Sequence, residues 1–168
     1  MSTKNKIILG IDPGYGLTGY GLIVVAGSRI KALDYGVIET SNQDEFPGRL
    51  KTLHQELTKI IKKYKPDIVA VEELFFYKNV TTAIKVGQAR GVIILSAVLA
   101  HVPVVEFTPL QVKQAISSYG RAGKNQVQQM VKVFLSLDKI PKPDDAADAL
   151  AVAICAANSV KFLKKISQ

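Results

Sequence analysis

Acidic residues occur in three separated stretches of this sequence that are otherwise apolar or rich in small residues. Asp12 follows an apolar run that holds one glycine, Glu72 follows a run of four apolar residues, and Asp145 and Asp148 lie in an alanine-rich segment. A carboxylate at the end of a buried strand, or on a helix packed on the core, is costly unless it is paired or metal-bound. We therefore expect these acids to form one functional site.

Neighbouring acids leave the composition of this site open at two places. Asp145 and Asp148 are three residues apart and project from one face of a helix, but Asp144 and Asp148, four apart, do so as well. Asp144 follows Pro143 at the predicted helix start, where an N-cap or first-turn role is expected.

Glu72 and Glu73 present the second choice, because in an extended segment they point to opposite faces. Both faces carry apolar neighbours, so alternation does not decide between them. The earlier residue lies nearer the carboxyl edge of the sheet, where the sites of open α/β sheets collect, and this favours Glu72.

Four carboxylates that lie close together need compensating positive charge, because like charges at ~4 Å repel by ~1 kcal/mol per pair in water and by more inside a protein. Two divalent ions would balance four negative charges. Two ions ~3.5–4 Å apart form the clamp used in phosphodiester cleavage. All-oxygen ligands favour Mg²⁺, with Mn²⁺ as a substitute, over zinc.

The overall charge favours a polyanionic partner. The 168 residues carry 22 Lys and Arg against 14 Asp and Glu, a formal charge of +8. Phosphate backbones attract such a protein. A basic protein that gathers acids at one place is expected to hold metal ions against nucleic acid.

The cysteine and histidine content argues against zinc and disulfides. Cys155 is the single cysteine, in an alanine-rich run typical of the core, and His54 and His101 have no ligand-like spacing to it or to each other. We expect a cytoplasmic protein without a signal peptide or a membrane span, since no run reaches ~18 apolar residues.

Hydrophobic periodicity and turn residues predict three strands followed by alternating helices and strands, typical of an α/β fold with a mixed sheet. We expect one domain over residues 1–168, in which residues 158–168 form a basic tail that frays or continues as helix. The predicted elements are strands at 6–12, 20–25, 30–39, 67–72 and 102–107, and helices at 46–64, 81–100, 109–117, 126–137 and from about Asp144.

Five short motifs, in this order, resemble the signatures of the RuvC family of Holliday-junction resolvases, and the resemblance covers about residues 6–157. They are Gly10-Ile11-Asp12-Pro13-Gly14, the run from Val71 to Asn79, Gly87-Gln88-Ala89-Arg90-Gly91, Gln111-Val112-Lys113-Gln114 and the run from Asp145 to Ala151.

This resemblance implies a ribonuclease H-like fold with a mixed five-stranded sheet flanked by helices, and a homodimer. It implies Mg²⁺-dependent, symmetrical nicking of two like-polarity strands of a four-way DNA junction, in recombination and repair, together with the branch-migration proteins RuvA and RuvB. It assigns the metal-binding and catalytic carboxylates to Asp12, Glu72, Asp145 and Asp148. The family varies at the position of Asp145, where some members carry histidine.

The resemblance also suggests DNA-contacting residues. Lys113 and Lys124 match basic residues placed near the cleaved phosphate, where a cation would stabilise the charge of the transition state. Phe75 matches an aromatic residue that stacks on bases at the opened junction centre. Independently of the resemblance, Lys85 and Arg90 lie on the predicted following helix, and this basic edge would contact phosphates or line a dimer seam.

Two other function classes remain as alternatives. An Asp-x-Gly turn followed by threonine also occurs in the phosphate-binding hairpin of sugar kinases and actin-like ATPases, but those proteins need two lobes, and this chain has the length of about one domain. A non-catalytic nucleic-acid-binding module would explain the charge but would leave the buried acids without a purpose.

Overall fold

A computed structural model describes residues 5–74, 80–117 and 123–159. The described elements are β1 (Lys6–Asp12), β2 (Leu17–Ala26), β3 (Arg29–Glu39), α1 (Phe46–Tyr64), β4 (Ile68–Glu72), α2 (Val80–Leu99), β5 (Val104–Phe107), α3 (Pro109–Ser117), α4 (Lys124–Phe134) and α5 (Asp144–Ala157).

The five strands form one mixed sheet in the order β3-β2-β1-β4-β5. The first three strands are antiparallel neighbours, as expected for consecutive hairpins. β4 and β5 are reached through helical crossovers and add in parallel. The mixed five-stranded sheet predicted from the sequence is confirmed.

Helices cover both faces of the sheet. Side chains alternate along β1, so that Leu9 packs with α1 and α2 on one face, whereas Ile8 packs with α3, α4 and α5 on the other. β1 is therefore buried on both sides, which explains its nearly continuous apolar sequence before Asp12.

Two strand glycines let α5 lie unusually close to the sheet. A Cβ atom at Gly10 would overlap the carbonyl oxygen of Ala149, and one at Gly19 would overlap the carbonyl oxygen of Asp145. Because glycine has no side chain, the backbone of α5 can approach β1 and β2 directly. The close approach brings the acidic first turns of α5 to the end of β1.

The predicted element boundaries agree best with the structure where residues such as proline clearly mark the end of an element. β1, α1 and α3 have the predicted bounds, and α1 ends before Pro66. β2 begins earlier than predicted, at Leu17, because the glycines at its start pair with β1 and β3. α4 runs from Lys124 to Phe134 rather than over 126–137, since Ser136 adopts a left-handed backbone conformation that ends the helix.

Helix α2 is long and apolar, and much of it is exposed. By length and composition its segment Thr81–Leu99 could cross a membrane, with a mean hydropathy of 1.4. One such helix is weak evidence for a span, because apolar helices of soluble proteins pass the same test. The absence of a membrane span stays a prediction.

Candidate active site

The ends of two neighbouring parallel strands bring the first two acids together. β1 and β4 pair in a register that places Ile11 beside Val71, so Asp12 and Glu72 follow at the same edge of the sheet. Parallel strands present their carboxyl ends to one side, where the sites of open α/β sheets form. Strand geometry alone therefore juxtaposes Asp12 and Glu72.

Helix α5 supplies the other two acids. Asp145 and Asp148 lie in its first turns, partly exposed, whereas the alanines between them are buried against the sheet. Both carboxylates act electrostatically on Asp12, and Asp148 also acts on Glu72. The structure thus places the other three acids predicted from the sequence within electrostatic range of Asp12.

The ionisation of these acids shows how unfavourable their grouping is. Burial, and then the charges of Glu72, Asp148 and Asp145, raise the pKa of Asp12 to about 8. Burial and the charge of Asp148 raise the pKa of Glu72 to about 7. The pKa of Asp148 is also raised, mainly by burial. At neutral pH the group therefore retains protons unless cations balance its charge.

The acids beside the site have different surroundings. Asp144 is the first residue of α5 and pairs with Lys142 at 2.6 Å, which fits the expected first-turn role. Glu73 donates its backbone N–H to the carbonyl of Phe107 at 2.8 Å. Glu72, unlike Glu73, lines the cavity beside Asp148 and acts on the pKa of Asp12, so the geometry favours Glu72 as the site residue.

Two lysines line the same cavity, of about 220 Å³, as two of the acids. Lys113 of α3 and Lys124 of α4 line it together with Glu72 and Asp148. Lys113 lowers the pKa of Glu72, although burial outweighs this effect. Lys124 Nζ lies 3.2 Å from Asp148 and 3.6 Å from Asp144. Burial disfavours the charge of Lys124, but the pair with Asp148 prevails and raises the pKa of Lys124.

The donor set fits a hard divalent cation, although the side chains are not yet arranged around one. Within residues 5–74, 80–117 and 123–159, no three Asp, Glu, His or Cys side chains converge closely enough to hold a metal ion as they stand. Lys124 supplies the positive charge that Asp148 receives in this arrangement. A buried carboxyl with a pKa of about 8 among three further acids is the environment that a bound cation would relieve.

The remaining predicted DNA contacts fall at different places. Lys85 lies over the rings of Tyr15 and Phe46, near the loop that follows Asp12. Arg90 forms an ion pair with Glu106 of β5. Phe75 lies outside the described residues, so its stacking role stays a prediction.

Hydrogen bonds hold the loop after Asp12 in place, and two of the residues that make them, Thr40 and Arg49, were missed by the sequence analysis. Three successive carbonyl oxygens, those of residues 14, 15 and 16, accept hydrogen bonds from the Thr18 hydroxyl, the Thr40 hydroxyl and the Thr40 N–H. Arg49 in turn donates its Nε–H to the Thr40 hydroxyl at 3.0 Å. Thr40 and Arg49 lie far along the sequence, and only isolated glycines at 14 and 16 signalled a constrained loop.

Sequence comparison shows extensive similarity to one family. The family model described as crossover junction endodeoxyribonuclease RuvC matches residues 8–156. The protein of that name from Heliobacterium modesticaldum is 59% identical over 156 residues, covering 93% of this chain and 96% of its own length. The one from Alkaliphilus oremlandii is 58% identical over 156 residues, covering 93% of this chain and 95% of its own length.

Structural comparison agrees. The Thermus thermophilus RuvC solved in complex with a Holliday junction substrate superposes with a TM-score of 0.87, at 37% identity and 96% coverage of both chains. The yeast mitochondrial resolvase Ydc2 shares the fold, with a TM-score of 0.65 at 15% identity. The likeness to the Thermus enzyme confirms the ribonuclease H-like fold. With its family model matching most of the chain, this protein belongs to the RuvC family of crossover junction endodeoxyribonucleases.

Proposed function

We propose that this chain is a metal-dependent endonuclease that resolves four-way DNA junctions during homologous recombination and repair, by nicking two strands of like polarity. The observation that carries the proposal is the grouping of Asp12 with Glu72, Asp145 and Asp148, beside a cavity that Lys113 also lines, in a protein of net charge +8. Family membership supports the junction as substrate, because the Thermus relative was solved with one.

The four carboxylates are the residues that would hold divalent metal, which we propose to be Mg²⁺, at two ions per site, with Mn²⁺ as a substitute. Bound ions supply an activated water and charge stabilisation for the leaving oxygen. Asp12 and Glu72 must release their protons to become ligands. Asp148 can become a ligand only if its ion pair with Lys124 breaks. Lys124 is then free to turn toward a substrate phosphate.

Lys113 and Lys124 would act on the phosphate rather than on the nucleophile. Both line the cavity beside the acids, and an ammonium group is an acceptable partner for the extra negative charge of a pentacoordinate phosphate. Their expected contribution is therefore larger in the transition state than in the bound complex.

We propose further that two copies associate through helix α2. Ile84, Leu95, Val98 and Leu99 lie on one face of this helix and are 55% to 61% exposed, whereas Ala89, Ile93 and Ala97 are buried on the opposite face. A row of exposed apolar side chains marks an interaction surface, and two-fold pairing would cover it in both copies. Two sites in one dimer would account for paired nicks.

The assembly proposal predicts that Leu95→Glu converts the dimer to a monomer in light scattering, since a charge at the seam loses its hydration. Val133→Glu is the matched control, because Val133 is 67% exposed on α4. A dimer that survives Leu95→Glu would remove α2 from the interface.

Wider expectations rest on the sequence and on the family. We propose a single nuclease domain over residues 1–168, a cytoplasmic location, cooperation with RuvA and RuvB, and contacts of Phe75, Lys85 and Arg90 with DNA. Arg90 would have to contact DNA while paired with Glu106, or exchange that partner for a phosphate.

Cleavage of a synthetic four-way junction, compared with a linear duplex of the same sequence, tests the proposal on a denaturing gel. Wild type and Glu73→Gln should nick the junction in Mg²⁺, whereas Glu72→Gln should bind it without cutting. Binding without cleavage by wild type in Mg²⁺ would support a non-catalytic module instead. Tight ATP binding without junction binding would support the kinase-like alternative.

A further inference from the structure

Two cationic groups lie on one aromatic ring beside the loop that follows Asp12. The guanidinium carbon of Arg49 lies 4.9 Å from the centroid of the Tyr15 ring, and Lys85 Nζ lies 5.6 Å from it. Lys85 Nζ is also 5.7 Å from the ring of Phe46, which meets Tyr15 edge-on at 6.0 Å. The loop, α1 and α2 thus converge on one cluster.

Neither cation has an acidic partner in the described part of the chain, although other basic residues do. Lys59 pairs with Glu56, and Arg90 pairs with Glu106. Because Arg49 and Lys85 approach the same ring centroid, their charges lie within about 11 Å of each other. The two positive charges repel, and an anion near both would offset this repulsion.

Arg49 is held in place rather than freely solvated. Its Nε–H donates to the Thr40 hydroxyl at 3.0 Å, and that hydroxyl donates to the carbonyl of Tyr15. The Thr40 N–H donates to the carbonyl of Gly16 at 2.9 Å. Only one of the five guanidinium donors is used in this way, so the Nη groups keep donors for a ligand. A planar, prepositioned guanidinium suits the geometry of phosphate.

We infer that Tyr15, Arg49 and Lys85 form a binding subsite for a DNA backbone phosphate near the cleaved one. The inference deepens the proposed nuclease function and rests on it. Tyr15 follows Asp12 by three residues, so their Cα atoms lie within ~11 Å. A phosphate held here fixes the DNA strand a short distance from the acids, and the hydrogen bonds through Thr40 connect that phosphate to the loop that follows Asp12.

Junction binding without divalent metal, measured as a function of NaCl concentration, tests the subsite. For each duplex phosphate that a variant no longer neutralises, the slope of log K against log salt decreases by ~0.9, which corresponds to about eightfold weaker binding at 0.1 M salt. We expect this change for Arg49→Ala and for Lys85→Ala. Lys59→Ala is the matched control on α1 and should keep the wild-type slope.

Arg49→Lys separates charge from position. Lysine keeps the positive charge but cannot donate the Nε–H bond to Thr40. We expect a wild-type salt slope with slower single-turnover cleavage in Mg²⁺. If Arg49→Ala does not fold, as judged by circular dichroism, the slope of Lys85→Ala decides the question.

The outcomes distinguish this inference from the proposed function. If wild type neither prefers nor cuts the junction, the nuclease proposal fails. If wild type cuts it while Arg49→Ala and Lys85→Ala keep the slope of Lys59→Ala, only the phosphate subsite is wrong. Reduced affinity with an unchanged slope would likewise contradict a phosphate contact.

Discussion

Replacing Asp12 by asparagine should stabilise the metal-free protein, and the gain should grow with pH. The pKa of Asp12 rises from 3.8 to about 8 on folding, so between these values the folded state holds a proton that the unfolded chain has released. Stability therefore falls by about 1.4 kcal/mol per pH unit as pH rises through this window. Asparagine does not titrate, so the stability of the variant does not fall in this way.

If the whole pKa shift acts on stability, the folded state has lost about 5 kcal/mol by pH 7.5. Solvent reaches Asp12 in part, so we expect a gain of about 2 to 4 kcal/mol at that pH and little gain near pH 4. For a domain of this length, such a gain raises Tm by roughly 5 to 15 °C.

Thermal unfolding in EDTA, at pH 4, 6 and 7.5, measures this dependence. Glu73→Gln is the control, because Glu73 lies beside Glu72 but outside the cavity, and it should change stability by less than about 0.5 kcal/mol. Adding Mg²⁺ should raise the Tm of wild type more than that of Asp12→Asn, since ligands stabilise the state that binds them. A variant no more stable than wild type at pH 7.5, or a gain independent of pH, would refute the reasoning.

Three further predictions follow from the same geometry. Lys113→Ala should lower the single-turnover cleavage rate by ~10²–10³ with a smaller effect on junction affinity, because a cation at the reacting phosphate acts mainly in the transition state; equal losses in rate and affinity would mark an ordinary phosphate contact. Apparent Mg²⁺ affinity, measured by titrating the cleavage rate, should increase from pH 6 to pH 8 as Asp12 and Glu72 lose their protons, and a flat profile would contradict their role as ligands. Gly19→Ala should destabilise the fold by about 3 kcal/mol or more in urea unfolding, because its Cβ would overlap the backbone of α5, whereas Gly87→Ala, with open space around it, should not.

The sequence predicted the elements well because their signals are local. A nearly continuous apolar run marked β1, the three-and-four spacing of apolar residues marked α1, and Pro66 marked the end of α1. The sheet followed from the order of hairpins and crossovers. The predicted β2 began too late because Gly19 and the glycines before it resemble a turn, whereas Gly19 pairs with Asp12 of β1 and with Val37 of β3 and therefore belongs to the strand.

The site was predictable in part. The acids were identified by their apolar surroundings. Residue spacing alone did not decide whether Glu72 or Glu73, and whether Asp144 or Asp145, belongs to the site. Tertiary contacts favour Glu72, which lines the cavity, and give Asp144 the partner Lys142. The fastening of the Asp12 loop by Thr40 and Arg49 joins distant parts of the chain and has no local signature.

The central claim is that acids from β1, β4 and α5 form one two-metal site. Diffraction at the manganese absorption edge from crystals grown with Mn²⁺ measures this directly. We expect two anomalous peaks ~3.5–4 Å apart, within bonding distance of Asp12, Glu72 and Asp148, and loss of at least one peak in Asp12→Asn. Peaks bound only elsewhere on the protein, or none at a concentration that supports junction cleavage, would contradict the account.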